Sequence, residues 1–435
     1  MLILKIDANH QLLFNSHSGA IAIVNNMWYH KASKKISHWL SQNKLHLNQE
    51  EIEEYINKQK QFAYKKKNER GLFAYVSPTF KCPMGCKYCF QKSVKNCHDI
   101  LNTEKIPKII DIINHQMSVH NLDRTTVVLF GGEPLLPDSF SFNKLLIESA
   151  VNHNYDIKIV TSGATINDKY IQLLKKYSHT IHLDITIDGP KEIHDNLRPL
   201  GKNGSFDIIL NNISILLKHN INVTAKTNIG QSNKNSISDL VQIYKYKKWM
   251  EKRNFKISFN FVRDYGQIDD NQERAGNNII FDIYKLIKQN CLYHKATIDS
   301  VKELSYFAHC FLDKKTFEGG PRTSFCNPDN STTISISPTG EIYPCNWMVG
   351  KKDFTIGTVN DGLNGQQNNY SINNQCTTCN IFSLCGGGCM IDRSNSDFYL
   401  KCYRNNIELF KSFIKNCQNI PKIDRYKIIN KEFIF

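Results

Sequence analysis

Residues 81–91 read KCPMGCKYCFQ, and the rest of the chain is interpreted around them. They place Cys82, Cys86 and Cys89 in a C-x3-C-x2-C spacing. A cubane of four irons and four sulfides normally takes four cysteine thiolates, so three neighbouring thiolates leave one iron free to bind another molecule. The spacing therefore predicts an open iron–sulfur site. A zinc knuckle is the alternative, because C-x2-C pairs also hold structural zinc.

Length and composition limit the classes of protein to consider. A chain of 435 residues with 41% hydrophobic and 22% charged residues is typical of a globular protein of about two to three domains. No apolar run approaches the ~20 residues that span a bilayer, and the N-terminus has no signal-peptide pattern. We therefore expect a cytoplasmic protein without a membrane partner. Fourteen cysteines in a reducing compartment favour metal or redox use over disulfides.

The net charge of +15 favours a polyanionic partner or an acidic peptide. The basic residues are scattered along the sequence, and no stripe of interleaved basic and aromatic residues is present. We therefore predict an acidic peptide as the partner and no nucleic acid. A metal-binding or nucleic-acid-binding module without catalytic activity is the alternative from a different class.

Residues 1–70 contain no cysteine and differ in pattern from the rest. Short strands and then two helices are predicted in the segments 3–6, 11–14, 20–24, 27–40 and 48–62. Asn48 and Glu51 form a capping box at the start of the second helix. This order is compatible with a small, winged-helix-like α+β module.

From residue 72 onward, predicted strands alternate with helices, which favours parallel βαβ units. Six strands are predicted, at 72–76, 126–130, 157–161, 181–187, 221–227 and 256–261. The helix predicted between the first two has Ile109, Ile110, Ile113 and Met117 on one face. The fold class is α/β, with a partial (β/α)6 TIM-like barrel. Because active sites of such barrels lie at the carboxyl ends of the strands, the cysteine triplet belongs to that face.

Three more polar corners follow strands on the same face. Gly131-Gly132-Glu133-Pro134 follows the second strand, Thr161-Ser162-Gly163 the third, and Thr186-Ile187-Asp188-Gly189-Pro190 the fourth. Gly131 and Gly132 either let the backbone approach a ligand closely or serve only to form a tight βα turn. Asp188 could bind ribose hydroxyls or a substrate amide, or cap a helix. Arg198 could bind a carboxylate, or form a surface ion pair.

A second set of seven cysteines lies in the C-terminal third of the chain. Its members are Cys326, Cys345, Cys376, Cys379, Cys385, Cys389 and Cys402. Residues 332–350, TTISISPTGEIYPCNWMVG, predict a β-hairpin with a Pro-Thr-Gly turn. The stretch CGGGC supplies flexible backbone, so that its two thiolates can face different metals.

The triplet, GGEP, TIDGP and the seven cysteines with Gly340 resemble the radical S-adenosylmethionine (SAM) enzymes that carry a SPASM domain. The resemblance covers about residues 72–410. It implies that the open iron binds SAM and that reduction releases a 5'-deoxyadenosyl radical. It also implies SAM contacts by Tyr88, Phe90, Gly131, Gly132, Glu133, Pro134, Ser162, Thr186, Asp188 and Arg198. Asp188 is the candidate catalytic residue.

The resemblance further implies two auxiliary [4Fe-4S] clusters, and so three in all. Cys326, Cys345 and Cys389 would hold one, and the set Cys376, Cys379, Cys385 and Cys402 the other. Either Cys310 supplies the eighth ligand, or an iron stays open to bind substrate. Two zinc sites in a ribbon are the alternative. Cys97, Cys291 and Cys417 belong to no motif and are expected to be small buried hydrophobic residues.

By this resemblance the chain is expected to modify a ribosomally made precursor peptide, forming a thioether or carbon–carbon crosslink. Its electron donor would be a flavodoxin or ferredoxin. The rival is an anaerobic sulfatase-maturating enzyme, which oxidises Cys or Ser to formylglycine. We divide the chain into an N-terminal module at 1–70, the barrel at 71–309, the SPASM domain at 310–410 and a tail at 411–435. The module either recognises the leader of the precursor or packs on the barrel.

Overall fold

The structure is a computed structural model of the chain. It describes residues 2–5, 10–15, 18, 20–25, 34–94, 99–262, 279–299, 324, 326, 328, 331–364, 376, 379 and 381–393. Cys310 and Cys402 lie outside the described residues, as do Cys97, Cys417 and the segment 411–435.

The N-terminal segment forms a three-stranded antiparallel sheet followed by two helices. The elements are β1 (Leu2–Lys5), β2 (His10–Phe14), β3 (Ile21–Asn25), α1 (Lys34–Gln42) and α2 (Gln49–Arg70). The capping box is confirmed, because Asn48 Oδ1 accepts the Glu51 backbone N–H at 2.8 Å and the Glu51 carboxylate accepts the Asn48 N–H at 3.0 Å. Leu13, Trp39 and Leu45 form a small core between the sheet, α1 and the turn after α1. The strand-then-helix order matches the prediction.

The central sheet contains the six predicted parallel strands in chain order. They are β4 (Leu72–Val76), β5 (Thr125–Leu129), β6 (Asp156–Thr161), β7 (Ile181–Thr186), β8 (Asn222–Ile229) and β9 (Phe255–Phe261). A short strand β10 (Ala296–Ile298), which the sequence did not reveal, pairs in parallel with β9. The predicted α/β class with a partial barrel is confirmed.

Helices connect these strands and cover the outer face of the sheet. They are α3 (Ile106–His120), α4 (Phe140–Asn152), α5 (Asp168–Lys176), α6 (Lys191–Leu197), α7 (Phe206–Lys218), α8 (Ile237–Tyr246) and α9 (Ile279–Gln289). On α3, Ile109, Ile110 and Ile113 are buried and Met117 packs against the same core, as the periodicity predicted. The apolar sides of the strands and helices form one continuous core.

The C-terminal hairpin continues the same sheet. Strand β11 (Thr333–Ile336) pairs in parallel with β4, and β12 (Glu341–Tyr343) returns antiparallel through a turn in which Gly340 has φ +97°. Two short strands, β13 (Gly357–Thr358) and β14 (Gly362–Leu363), complete an eleven-stranded sheet. The hairpin is confirmed, but the sequence did not predict that it would extend the barrel at β4.

Two short helices, α10 (Phe382–Cys385) and α11 (Met390–Arg393), flank the stretch CGGGC. In the part of the chain that the structure describes, no helix combines the length and apolar character needed to cross a membrane. Cys291 is exposed at the end of α9, so the expectation that it is a buried hydrophobic residue was wrong. It adopts φ +56° in the turn after the helix, and this turn lies at the surface.

Candidate active site

A cavity of about 520 Å³ lies inside the barrel and reaches the carboxyl ends of the strands. Small-molecule sites are typically ~300–1,000 Å³. Most of the residues predicted to bind SAM and its cluster line it, namely Cys82, Cys86, Tyr88, Cys89, Phe90, Gly131, Gly132, Glu133, Ser162, Thr186 and Arg198. Pro134 and Asp188 do not line it. The structure therefore brings the triplet and all three polar corners to one cavity.

The loop that carries the triplet is fixed by backbone hydrogen bonds. The N–H of Gly85 donates to Pro199 O at 2.8 Å, and the N–H of Lys87 donates to Leu197 O at 3.0 Å. These acceptors lie at the end of α6, so the loop is held against the chain that follows β7. Among the described residues, Cys82, Cys86 and Cys89 form no disulfide bond. The loop therefore presents three soft ligands on a fixed backbone.

The two glycines of GGEP make room for protein backbone. Gly132 donates its N–H to Thr79 O at 3.1 Å, and Glu133 donates to Lys81 O at 2.8 Å. A Cβ on Gly132 would lie 2.3 Å from the carbonyl oxygens of both Phe80 and Lys81. The glycines thus let this turn pack on the residues that lead into the triplet. The sequence predicted approach to a ligand or a tight turn, and did not foresee this contact.

Replacing Gly132 by alanine is therefore expected to displace the start of the triplet loop, because a methyl group cannot fit 2.3 Å from two carbonyl oxygens. We expect a loss of about 3 kcal/mol in the free energy of unfolding, as for severe overpacking, and incomplete binding of iron. Urea unfolding and iron analysis measure these two effects. Gly201→Ala is the control, because a Cβ at Gly201 meets nothing within 4 Å; its φ of +57° should cost about 1 kcal/mol. Equal stability of the two variants would contradict this account.

Glu133 connects the first two of the three polar corners, residues 131–134 and 161–163. Its buried carboxylate accepts hydrogen bonds from the hydroxyl of Thr161 at 2.6 Å, the hydroxyl of Ser162 at 2.5 Å and the N–H of Ser162 at 2.8 Å. The N–H of Leu135 donates to it as well, at 3.1 Å. Four donors spread the carboxylate charge and fix the Thr161-Ser162 turn. Glu133 therefore shapes the cavity wall as well as lining it.

Asp188 lies in a buried network behind the cavity wall. Its carboxylate accepts the Asn228 backbone N–H at 2.7 Å and the hydroxyl of Tyr88, and the Arg198 Nε lies 3.8 Å away. Arg198 also donates to the Tyr88 hydroxyl at 2.9 Å. The helix α6 that follows Asp188 has no side-chain cap hydrogen bond, and Arg198 is nearly buried and so forms no surface ion pair. The network links the triplet loop, through Tyr88, to the ends of β7 and β8.

Protonation states in this network follow from burial. Removal from water raises the pKa of Tyr88 well above its usual value, an effect that the positive Arg198 opposes. The phenol therefore stays protonated and donates to Asp188. Since Tyr88 and Asn228 already engage the Asp188 carboxylate, its place in the fold favours a positioning role. The catalytic assignment of Asp188 stays a prediction.

His194 stabilises the turn at Asp188 through hydrogen bonds. Its Nδ1 accepts the Asp188 backbone N–H at 3.2 Å, and its Nε2 donates to the Ser205 hydroxyl at 3.0 Å. Burial, followed by the positive charge of Arg198, lowers the pKa of His194 to about 3. The imidazole is therefore neutral in the folded protein near neutral pH.

This burial predicts a dependence of stability on pH. The pKa of His194 is about 3 when folded and near 6.5 when unfolded, so between these values the unfolded chain binds more protons. The stabilisation that the neutral, buried His194 contributes to the free energy of unfolding is fully present above pH ~6.5. It falls by up to about 1.4 kcal/mol for each pH unit below that value. We expect urea unfolding of the apoprotein between pH 7 and pH 5 to show a steeper loss of stability in the wild type than in His194→Asn. Parallel pH profiles would contradict the assignment.

Polar residues inside the barrel form a cavity wall that the sequence analysis missed. Lys158, Asp184 and Lys226 occupy it, on β6, β7 and β8. Lys158 Nζ lies 2.8 Å and His182 Nε2 lies 3.3 Å from different oxygens of Asp184. Burial raises the pKa of Asp184, but the His182 hydrogen bond and the charges of Lys158 and Lys226 outweigh it and hold the pKa well below its usual range. The available signal was the polar alternation His182, Asp184, Thr186 within a parallel strand.

Aromatic residues form the opposite wall. Phe90 follows Cys89, and its ring centroid lies 4.1 Å from the ring centroid of Trp347. The Phe90 ring also stacks on Phe130, with 5.9 Å between the ring centroids. Trp347 follows Cys345 closely and reaches the cavity with Asn346. The C-terminal cysteine region therefore contributes directly to the wall beside the triplet. The sequence predicted Phe90 for this site but missed Trp347.

None of the C-terminal cysteines that the structure describes forms a disulfide bond with another described residue. Cys345 packs in a core with Phe80 and Met390. The N–H of Gly387 points to Cys385 Sγ at 3.4 Å. Gly386, Gly387 and Gly388 all adopt positive φ angles, of +65°, +87° and +76°, which only glycine adopts without strain. The predicted freedom of the CGGGC backbone is therefore used to turn the chain between two thiols.

No three His, Cys, Asp or Glu side chains converge on a single metal-ion position within the described ranges. That geometry concerns one ion. In a four-iron cluster each thiolate binds a different iron.

Comparisons with known proteins agree with this site. Residues 76–246 match the model of the radical SAM superfamily. The chain is 26% identical over 366 residues to a cysteine-type anaerobic sulfatase-maturating enzyme of Clostridium novyi, covering 79% of this chain and 93% of the relative. It is 24% identical to the subtilosin biosynthesis protein AlbA of Bacillus subtilis, covering 77% of this chain and 70% of the relative.

Among solved structures, SuiB of Streptococcus suis bound to its precursor peptide SuiA shares the fold, with a TM-score of 0.57. The match covers 81% of this chain and 80% of SuiB at 15% sequence identity.

Proposed function

We propose that this chain, a radical SAM superfamily enzyme related to peptide maturases and sulfatase maturases, crosslinks a ribosomally made precursor peptide. The bond formed would be a thioether or a carbon–carbon bond. One observation carries the proposal: the triplet loop and a tryptophan beside Cys345 border the same cavity. A reactive centre and the C-terminal cysteine region would thus act on one bound substrate.

The residues present fit the cofactors that this family uses. Cys82, Cys86 and Cys89 form no disulfide bond among the described residues, face one cavity and offer thiolates, the usual ligands of iron–sulfur clusters. They would hold a [4Fe-4S] cluster, and the corner residues Glu133 and Ser162 would lie along SAM. When bound, the two cofactors supply one-electron chemistry that removes a hydrogen atom from a carbon of the substrate. The cavity volume, about 520 Å³, suits a ligand of this size.

The chain's own residues fix the geometry of this site and exclude water from it. Glu133 fixes the turn at Thr161 and Ser162 through three hydrogen bonds. The buried Tyr88, Asp188 and Arg198 tie the triplet loop to β7 and leave the guanidinium of Arg198 at the cavity wall. The aromatic wall around Phe90 excludes water from reactive species. In this proposal Arg198 binds the SAM carboxylate, and Asp188 positions Tyr88 and Arg198.

The C-terminal cysteines would hold two auxiliary clusters, with the ligand sets that the resemblance implies. Support comes from the thiols of Cys345, Cys379 and Cys389, which form no disulfide bond among the described residues, and from the Gly387 N–H beside Cys385. Such clusters would accept the electron left on the substrate after hydrogen removal. We propose a flavodoxin or ferredoxin as the external electron donor and the cytoplasm as the compartment.

The N-terminal segment would hold the precursor's leader. β1 and β3 are the outer strands of its three-stranded sheet, and both have one side unpaired within the described residues. An extended peptide can add to such an edge, since main-chain hydrogen bonds give affinity with little demand on sequence. The net charge of +15 would attract an acidic leader.

Co-expression tests the proposal most simply. The chain is produced anaerobically with the peptide encoded by a short reading frame beside its gene, and the peptide is analysed by mass spectrometry. The expected product has lost two hydrogen atoms for each crosslink and has kept all its sulfur. Fragmentation should fail between the joined residues.

Sulfatase maturation is the second candidate, because the Clostridium novyi relative matches over 79% of this chain. It differs in its product, since formylglycine formation from cysteine removes the thiol sulfur. Conversion of a cysteine-containing sulfatase peptide with loss of sulfur, and no change in the precursor peptide, would overturn the crosslinking proposal.

A further inference from the structure

The polar wall of the cavity contains a lysine, Lys226, that forms no ion pair with a carboxylate among the residues that the structure describes. Asp184 is held by Lys158 at 2.8 Å and by His182 at 3.3 Å. Lys226 is the other ammonium of this wall. Across the residues described, its Nζ forms neither an ion pair nor a hydrogen bond, and it acts on Asp184 only through its longer-range charge.

The two remaining carboxylates of the cavity have their own donors. Asp299 accepts the hydroxyl of Ser258 at 2.5 Å, and Glu133 accepts hydrogen bonds from Thr161, Ser162 and Leu135. Neither makes an ion pair with Lys226 in the described part of the chain. The ammonium is therefore available to an anion that enters the cavity.

Lys226 is placed where a substrate would reach it. In the sheet register it lies level with Thr186 on β7 and Ser258 on β9. It is thus level with the SAM-binding corner at Thr186, but one strand farther from the triplet loop. Asn228 and Asn260, also register partners, line the cavity one step nearer its mouth. An ion enclosed in such a wall is stabilised by a partner of opposite charge.

We propose that Lys226 binds a carboxylate of the peptide substrate, so that an Asp or Glu side chain lies at or next to the residue that is modified. This inference rests on the proposed function and deepens it by naming the substrate class. Lys226 is a specificity-determining residue here: it selects the segment of peptide that enters the cavity. The aromatic wall formed by Phe90, Phe130 and Trp347 would hold the apolar part of the same segment.

Binding of two matched probes tests the inference without turnover. The full-length, iron-loaded enzyme is saturated with SAM and titrated with N-acetyl-L-glutamic acid α-amide or its neutral isostere, N-acetyl-L-glutamine amide, by calorimetry. We expect the wild type to prefer the carboxylate probe about tenfold, the usual gain from one charged hydrogen bond. Lys226→Gln and Lys226→Met should lose this preference, and Lys226→Arg should retain it. Lys256→Gln, an exposed lysine on the neighbouring strand β9, is the matched control.

Three outcomes overturn the inference. They are equal affinity of the wild type for both probes, a preference that persists in both neutral variants, and weaker SAM binding in those variants with an unchanged probe preference. The last outcome would assign Lys226 to the carboxylate of SAM. Because the probes are never modified, the binding result does not depend on the outcome of the crosslinking assay. A failure of the proposed function therefore cannot be mistaken for a failure of this inference.

Discussion

Replacing Cys86 by alanine is expected to reduce SAM cleavage to background. Cys86 is buried at the cavity and belongs to the triplet that would hold the SAM-binding cluster. The same variant should lose about four of about twelve irons per chain, since ten motif cysteines divide as three, three and four. Iron analysis and the yield of 5'-deoxyadenosine under reducing, anaerobic conditions measure these effects.

Cys291→Ala is the matched control for this experiment. Cys291 is a free, exposed cysteine outside every motif, so its removal should leave both the iron content and SAM cleavage unchanged. Zinc in place of iron in the wild type, or full SAM cleavage by Cys86→Ala, would contradict the assignment of the triplet.

Replacing Cys379 by alanine is expected to separate two activities. SAM cleavage should persist in part, because the cavity residues that would contact SAM lie on the triplet loop, at the carboxyl ends of β5–β7 and at the end of α6. Formation of the peptide product should stop, since the auxiliary cluster that would take the remaining electron is lost. The ratio of modified peptide to 5'-deoxyadenosine is the measurement, with Cys291→Ala again as the control. Full peptide modification by Cys379→Ala would refute a role for the auxiliary clusters in product formation.

Much of the fold could be predicted because local signals agree with it. The capping box at Asn48 forms as its sequence indicates. The six parallel strands are short apolar runs separated by amphipathic helices, and the structure places each within two residues of its predicted range. Their order follows the chain, so neighbouring strands are also neighbours in sequence.

The pairing of β11 with β4 could not be predicted in the same way. These strands are joined by register pairs such as Ile334 with Ala74, and no local pattern encodes a contact between segments so far apart. The hairpin itself was visible from its turn. The pairing of the hairpin with β4 could not be predicted, because the sequence of an edge strand does not encode which strand will pair with it.

The candidate site was predicted in part, for a similar reason. Motif spacing placed Cys82, Gly132 and Arg198 at one end of the barrel, where the structure has them. It did not reveal that Gly132 packs on backbone or that Asp188 lies behind the wall. Lys158 and Lys226 were missed because single lysines within strands resemble surface positions unless both faces of the strand are known.

Transfer of deuterium tests the central claim most directly, namely that this cavity removes a hydrogen atom from a bound peptide. The precursor peptide is prepared with the modified residue fully deuterated and incubated anaerobically with the iron-loaded enzyme, SAM and a reductant. The account predicts that deuterium appears in 5'-deoxyadenosine in proportion to the peptide modified, and that Cys86→Ala shows neither. If the peptide is modified but no deuterium from any labelled carbon appears in 5'-deoxyadenosine, the claim is contradicted.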